Sequence, residues 1–272
     1  MEQTTARDMT FEVERGGEGP PVVLLHGFPE TAASWRTVAG LLHDAGYSTS
    51  APNQRGYSPG ARPDGVEAYR MDTLADDVLA LADAWGLDRF HLVGHDWGAA
   101  VAWKLTALHP ERVETLTAVS VPHLAAYGWA LAHDADQQRR ASYIGLFRDG
   151  QRAEELLLED DARRLIAMFE GRVPADLVGE HLAALREPGA LTAALNWYRA
   201  MTPETDLPAV QVPTTYVWST DDQALGRAGA ERCGDHVDAD YRFVELDGIS
   251  HWVPEEAPGE LAEAIVSRAS GQ

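Results

Sequence analysis

The sequence predicts an α/β fold: a mostly parallel sheet flanked by helices, interrupted late by a helical insertion. Three observations predict it. Apolar runs alternate with helical patterns through the first half of the chain. From about His123 to Pro208 that rhythm stops, and only helical stretches follow. Strand signals then resume at "TTYVWST" (214–220) and "YRFVELDG" (241–248), before a closing helix near 257–269. Alternation of this kind implies parallel strands with helices on both faces. The break implies a helical cap of 124–208 inserted into a core of 1–123 and 209–272.

The elements follow in order. "PVVLLHG" (21–27) is a continuous apolar run expected to be a buried strand, and "SWRTVAGLLHDAG" (34–46) a helix ended by Gly46. "YSTSAPN" (47–53) is a weaker strand. In "TLADDVLALADAWG" (73–86), Leu74, Val78, Leu81 and Trp85 fall at helical spacing, with Asp72 or Thr73 expected as the cap. "FHLVGH" (90–95) and "VETLTAVSV" (113–121) are strands, and "GAAVAWKLTALH" (98–109) is the helix between them. Beyond His123 the helical stretches are "AEELLLEDDARRLIAMFEG", "ADLVGEHLAALRE" and "GALTAALNWYRAM".

Composition excludes several classes of function. The 272 residues are 45% hydrophobic, enough for one large α/β domain, and 22 basic against 43 acidic residues give a net charge of -21. Phosphate backbones and anionic membranes repel such a chain, so neither nucleic acid nor membrane is an expected partner. One cysteine, Cys233, allows no intramolecular disulfide and is expected on a surface helix as a bystander. No apolar run approaches the ~20 residues of a membrane span, and "MEQTTARDMTFEVERGG" contains no signal-peptide core. The expected setting is the cytoplasm.

The stretch "LVGHDWGAAVAWKLTALHP" (92–110) carries the chemistry. A strand runs into a Gly-x-x-x-Gly turn and a helix, with Asp96 between Gly94 and Gly98. This strand–turn–helix holds its central residue strained and exposed above the carboxyl end of the sheet, where hydrolases of this layout place a serine. The bland reading makes Asp96 a helix cap. Three further features weigh against it. "HGFPE" (26–30) ends an early strand, where the backbone N–H of Phe28 can join that of Trp97 in an oxyanion hole. Pro29 fixes that turn, and its isomer is open. "DGISHWVPEEAP" puts His251 after the last strand, where a late-arriving base belongs. "WSTDDQAL" supplies Asp221 and Asp222 past the preceding strand, giving the chain order nucleophile, acid, histidine. Local pattern alone does not separate the two aspartates.

"HGFPE…W", "QRGYS", "GHDWG", "LNWYR" and "SHW" occur in the order and spacing of the α/β-hydrolase-fold epoxide hydrolases, which this chain resembles over nearly its whole length. The resemblance implies Asp96 as nucleophile, His251 as general base and Asp222, followed by "QAL", as the orienting acid. It implies Tyr198 in "LNWYR" and Tyr143 in "SYIGLFRDG", four residues before Phe147, as donors to the epoxide oxygen. For either tyrosine alone, packing within a helical layer is the competing reading.

The chemistry is coherent. An ionised carboxylate attacks carbon without a base. Phenols, with an ordinary pKa of ~10, are neutral donors for the departing ring oxygen. His251 and Asp222 then activate water against the resulting ester. No metal or cofactor is required, and a small-molecule epoxide is the expected partner. A haloalkane or haloacid dehalogenase shares the aspartate chemistry, but a halide has no use for phenolic donors, Phe28 stands where many dehalogenases carry Asn, and haloacetate dehalogenases have "HDRG" where Trp97 stands here. A non-catalytic binding protein of this fold would not need the triad and both tyrosines together. Trp129, Phe147 and Trp197, with Met168 and Phe169, are the expected substrate-lining residues.

Overall fold

Eight strands form one sheet in the order β1-β2-β4-β3-β5-β6-β7-β8. In sequence these are β1 (Glu2–Ala6), β2 (Met9–Gly16), β3 (Pro21–Leu25), β4 (Ser48–Pro52), β5 (Phe90–His95), β6 (Val113–Val119), β7 (Thr214–Ser219) and β8 (Tyr241–Leu246). From β4 to β8 every neighbouring pair is parallel, whereas β1–β2 and β2–β4 are antiparallel. The computed structural model describes residues 1–202 and 207–271; residues 203–206, within the segment expected to end at 208, lie outside the described residues.

The central strands are fully covered, which is why they read as unbroken apolar runs: all of β5 and β7, and β3 after its first residue, are buried. On one face lie α1 (Arg36–Asp44) and, at the chain's end, a long helix over Pro258–Ala269. On the other lie α2 (Met71–Ala84) and α3 (Trp97–Leu108). Buried residues run from Trp97 to Ala107, so α3 is sandwiched between the sheet and a further layer.

That layer leaves the sheet after β6 and returns at β7. It comprises α4 (Leu124–His133), α5 (Ala135–Arg140), α6 (Tyr143–Phe147), α7 (Gly150–Met168), α8 (Ala175–Leu185) and α9 (Ala190–Ala200). Its apolar faces join the core cluster that contains α3. The helix α7 is broken where Asp160, Asp161 and Ala162 take positive φ. After β7 come α10 (Arg227–Glu231), α11 (Val253–Glu256) and α12 (Pro258–Ala269).

Three details differ from the sequence reading. The hairpin β1–β2 was not anticipated, because only Phe11 and Val13 of β2 are fully buried and the rest of the strand is largely polar. The helix expected over 73–86 starts at Met71 with Arg70 as its cap residue; Asp72 instead pairs with Lys104 at 2.8 Å. Cys233 is not on a surface helix. It is fully buried at the start of a single 3-10 turn, accepts the His123 N–H at 3.2 Å, and burial pushes its thiol up to about 12.

Candidate active site

Asp96 sits between β5 and α3 with φ 51° and ψ −120°, a conformation that costs a non-glycine residue on the order of 1–3 kcal/mol. Close packing imposes it. A Cβ on Gly94 would lie 2.2 Å from the Gly98 carbonyl oxygen, and one on Gly98 would lie 2.0 Å from that of Leu25. Strand and helix therefore touch only because both positions are glycine, and the turn between them lifts Asp96 off the sheet.

Each oxygen of Asp96 has its own neighbour. Oδ1 accepts the Phe28 N–H at 2.8 Å, and Oδ2 lies 3.5 Å from His251 Nε2. Phe28 is placed by the turn after β3, where the Phe28–Pro29 peptide is cis. Trp97 is the first residue of α3, where the backbone N–H groups of a helix lack partners within it.

His251 Nδ1 bonds Asp222 Oδ2 at 2.8 Å. The other oxygen of Asp222 accepts the N–H groups of Ala224 and Leu225 at 2.8 and 2.9 Å, which fixes the carboxylate from behind. Asp221 is exposed, and its N–H is used by the Ile249 carbonyl at 3.1 Å. Geometry thus separates the two aspartates that local pattern left open. Burial raises the Asp222 carboxyl, but the charge and hydrogen bond of His251 outweigh it and hold the carboxyl below its ordinary value. Burial likewise lowers His251, but the carboxylates of Asp222 and Asp96 outweigh it and carry the imidazole well above its ordinary 6.5.

Tyr143 opens α6 and Tyr198 lies near the end of α9, so two separate helices bring the phenols together. The Tyr143 and Tyr198 rings pack edge-on with centroids 6.3 Å apart, and Tyr198 lies edge-on to Trp97 at 5.0 Å. Burial, then neighbouring phenols and the Asp96 charge, holds both hydroxyls well above 10. Asp96, Tyr143 and Tyr198 line one cavity of about 670 Å³, whose walls are mostly apolar. That volume suits a small organic ligand.

The alpha/beta hydrolase fold family matches over residues 20–258. The AB hydrolase superfamily protein YfhM of Bacillus subtilis is 34% identical over 97% of this chain and 96% of its own length. Epoxide hydrolase A of Mycobacterium tuberculosis is 34% identical over 95% of this chain and 93% of its own length. The chain belongs to the epoxide hydrolases of the α/β-hydrolase fold. The crystal structure of epoxide hydrolase A from Mycobacterium thermoresistibile, 29% identical, superposes with a TM-score of 0.87 over 99% of this chain and 98% of that one.

For this family member, the expected lining residues divide. Trp129 lines the cavity, stacked on His133 with the Arg232 guanidinium 3.8 Å from its ring centroid. Phe147 and Trp197 do not line it. Phe147 is packed edge-on between Phe28, Tyr143 and Tyr198, and Trp197 lies against Trp97 and Tyr57 with its indole N–H donated to the Arg55 carbonyl. Met168 and Phe169 are spent on Trp252, through the Met168 carbonyl and ring packing at 4.7 Å. Phe147 and Trp197 thus support lining residues from behind, whereas Met168 and Phe169 lie against Trp252, which is not among the lining residues.

Several contributors escaped sequence reading. Gln137 holds the acid loop by accepting the Gly226 N–H and donating to the Ala224 carbonyl, both at 2.8 Å, and Arg140 donates to the Asp222 carbonyl. Neither has a motif. Ser120, which follows β6 with φ 66°, donates to the His251 carbonyl at 3.3 Å. Tyr127 also lines the cavity, its phenol raised by burial and by the Asp96 charge. Within "QRGYS", Gln54 braces His26 through two hydrogen bonds, and Arg55 forms a buried ion pair with Asp77. Among the described residues, one group has metal-ligating atoms close together: Glu30, His181 and Glu255.

Proposed function

We propose that this chain hydrolyses epoxides to vicinal diols through a covalent ester on Asp96. The observation that carries the reading is the facing of a turn-borne carboxylate and two neutral phenols across one largely apolar cavity. Hydrolysis of ether bonds is the activity its family implies.

The two oxygens of Asp96 divide the work. Oδ1 is engaged by the Phe28 N–H, leaving Oδ2 to attack the epoxide carbon. As the Oδ2–C bond forms, the ring C–O bond breaks, and Tyr143 and Tyr198 stabilise the departing oxygen and deliver a proton to it. Alkylation removes the negative charge of Asp96, one of the two carboxylates that raise His251. The imidazole therefore becomes easier to deprotonate once the ester exists. Neutral His251, oriented by Asp222, takes a proton from water as the water oxygen adds to the Asp96 carbonyl carbon. Negative charge develops on Oδ1 and is met by the Phe28 and Trp97 N–H groups. Collapse expels Oδ2 with the diol, and His251 returns its proton to that oxygen. The proton that the imidazolium shed before acting as base restores the phenol, and the new Asp96 carboxyl, which keeps the water oxygen, passes its own proton to His251, so the starting ion pair is regenerated.

The helices between β6 and β7 act as a cap (124–208) over a core of 1–123 and 209–272, and they supply both phenols. No step uses a metal or cofactor. The substrate is a small apolar epoxide, in keeping with walls that include Leu124, Trp129, Leu131, Ile144 and Met201.

The test is a panel of styrene-type, terminal and internal aliphatic epoxides assayed for diol, beside chloro- and bromoalkanes assayed for halide. Diol release without halide release supports the reading. Halide release with no diol from any epoxide overturns it.

A further inference from the structure

Behind the catalytic histidine lies a second group of buried titratable side chains, which the reaction as written does not use. Glu30 and His95 are fully buried, and Glu30 Oε2 lies 2.9 Å from His95 Nδ1. His95 Nε2 in turn lies 2.9 Å from the backbone carbonyl oxygen of His251. A carbonyl only accepts, so His95 donates to it from Nε2, and the contact at Nδ1 needs a further proton. Glu30 Oε1, both oxygens of Glu255 and Nε2 of His181 are also buried, with no partner among the described hydrogen bonds. One oxygen of each carboxyl and one ring nitrogen of His181 lie within 4.8 Å of one another.

Two carboxyl groups this close in a dry site do not both ionise. The surroundings say which keeps the proton. Burial would raise Glu30, but the charge and hydrogen bond of His95 outweigh it and hold Glu30 down. Burial raises Glu255 well above its ordinary value, and the Glu30 charge adds to that. The other groups facing the pair supply no competing cation. Burial lowers both His181 from α8 and His26 from the end of β3, and Glu256 on the same turn as Glu255 is paired with Arg172.

We propose that Glu255 is a positioning residue: it keeps its proton, donates it to Glu30, and so fixes the carboxylate that holds His95 against the backbone of His251. The functional half rests on the reading of His251 as the base; the location of the proton does not. A divalent cation held by Glu30, Glu255 and His181 is the competing occupant. It would draw the ligand atoms closer than 4.8 Å, since a tetrahedral site with bonds of about 2.1 Å puts them roughly 3.4 Å apart.

Thermal unfolding of wild type and Glu255→Gln from pH 5 to 8, in buffer stripped of metals, tests where the proton resides. A carboxyl raised in the folded state contributes stability below its unfolded pKa and loses it as pH rises toward the folded value. Wild type should therefore lose Tm relative to Glu255→Gln as pH rises. A difference that is flat, or that runs the other way, overturns the proposal. So does a Tm increase on adding Zn²⁺ or Mn²⁺ that is absent in Glu255→Gln. Single-turnover kinetics test the positioning. Glu255→Gln keeps an N–H donor and should hydrolyse the alkyl-enzyme within about threefold of wild type. Glu255→Leu should slow hydrolysis about tenfold or more, with alkylation unchanged. Equal losses in both variants, or equal slowing of both steps, mean a structural role only and overturn it. Failure to form any alkyl-enzyme in wild type would instead count against the covalent reading, leaving the unfolding result to stand alone.

Discussion

The two sides of the cavity are built on different principles. On the sheet side, Asp96, His251 and Asp222 stand at strand ends, and each is fixed by short hydrogen bonds to backbone groups or to one another. On the helical side, Tyr143 and Tyr198 are held by ring packing, against each other and Phe147, on helices whose partners include the broken α7. In the proposed mechanism the sheet side fixes where charge and protons go with little room for error, and the helical side sets the shape of the space and the placing of two neutral donors. Damage should therefore be severe and step-specific on the first side, graded and substrate-dependent on the second.

The largest contrast is expected between adjacent residues on the sheet side. Asp222→Ala should slow hydrolysis of the alkyl-enzyme about a thousandfold or more, as loss of a histidine-orienting carboxylate does elsewhere, while alkylation proceeds. Asp221→Ala, at an exposed position, should leave both steps within about twofold. Rapid quench with intact-protein mass separates the steps. The opposite ranking would dissolve the distinction that geometry draws between the two aspartates.

On the helical side the effects should be smaller and fall on the other step. Tyr143→Phe and Tyr198→Phe should each slow alkylation about a hundredfold, the cost of one charge-stabilising donor, and leave ester hydrolysis nearly unchanged. Because both phenols are raised above 10, they remain donors at pH 9, and the alkylation rate should show no fall from their ionisation between pH 8 and 9.5. A loss in that window that disappears in the double variant would mean that one phenol ionises at its ordinary value.

The smallest expected effect concerns the walls. Trp129→Ala enlarges the cavity and should change KM for bulky epoxides about tenfold, with small epoxides little affected. Trp197→Ala should act through stability, since it empties a fully buried site at a cost of about 3–5 kcal/mol. Melting curves beside a substrate series distinguish the two. A pure specificity change in Trp197→Ala would place that ring on the substrate side after all.

The same contrast explains what could be read from the sequence. The elbow around Asp96 was legible because its backbone demands Gly94 and Gly98 at fixed spacing, and the position of His251 follows from chain order. Tyr198 was legible through "LNWYR". Trp197, its neighbour in that motif, was misplaced onto the cavity because helical periodicity marks a buried face without telling which buried surface borders empty space. The resemblance singled out Asp222, but local pattern alone could not separate it from Asp221, because a one-residue choice depends on how the loop after β7 turns, and that turn is held by Gln137 and Arg140 from α5. Glu30, His181 and Glu255 come from three elements far apart in the chain, and only the packed structure brings them together.

The central claim is that Asp96 forms a covalent ester, and a single turnover in heavy-oxygen water tests it most directly. Enzyme in excess over epoxide is quenched after one turnover, and the diol and the peptide containing Asp96 are weighed. Attack by Asp96 predicts an unlabelled diol and one heavy oxygen in the Asp96 peptide. A labelled diol with an unlabelled Asp96 peptide would mean that water attacks the epoxide directly, and would contradict the account.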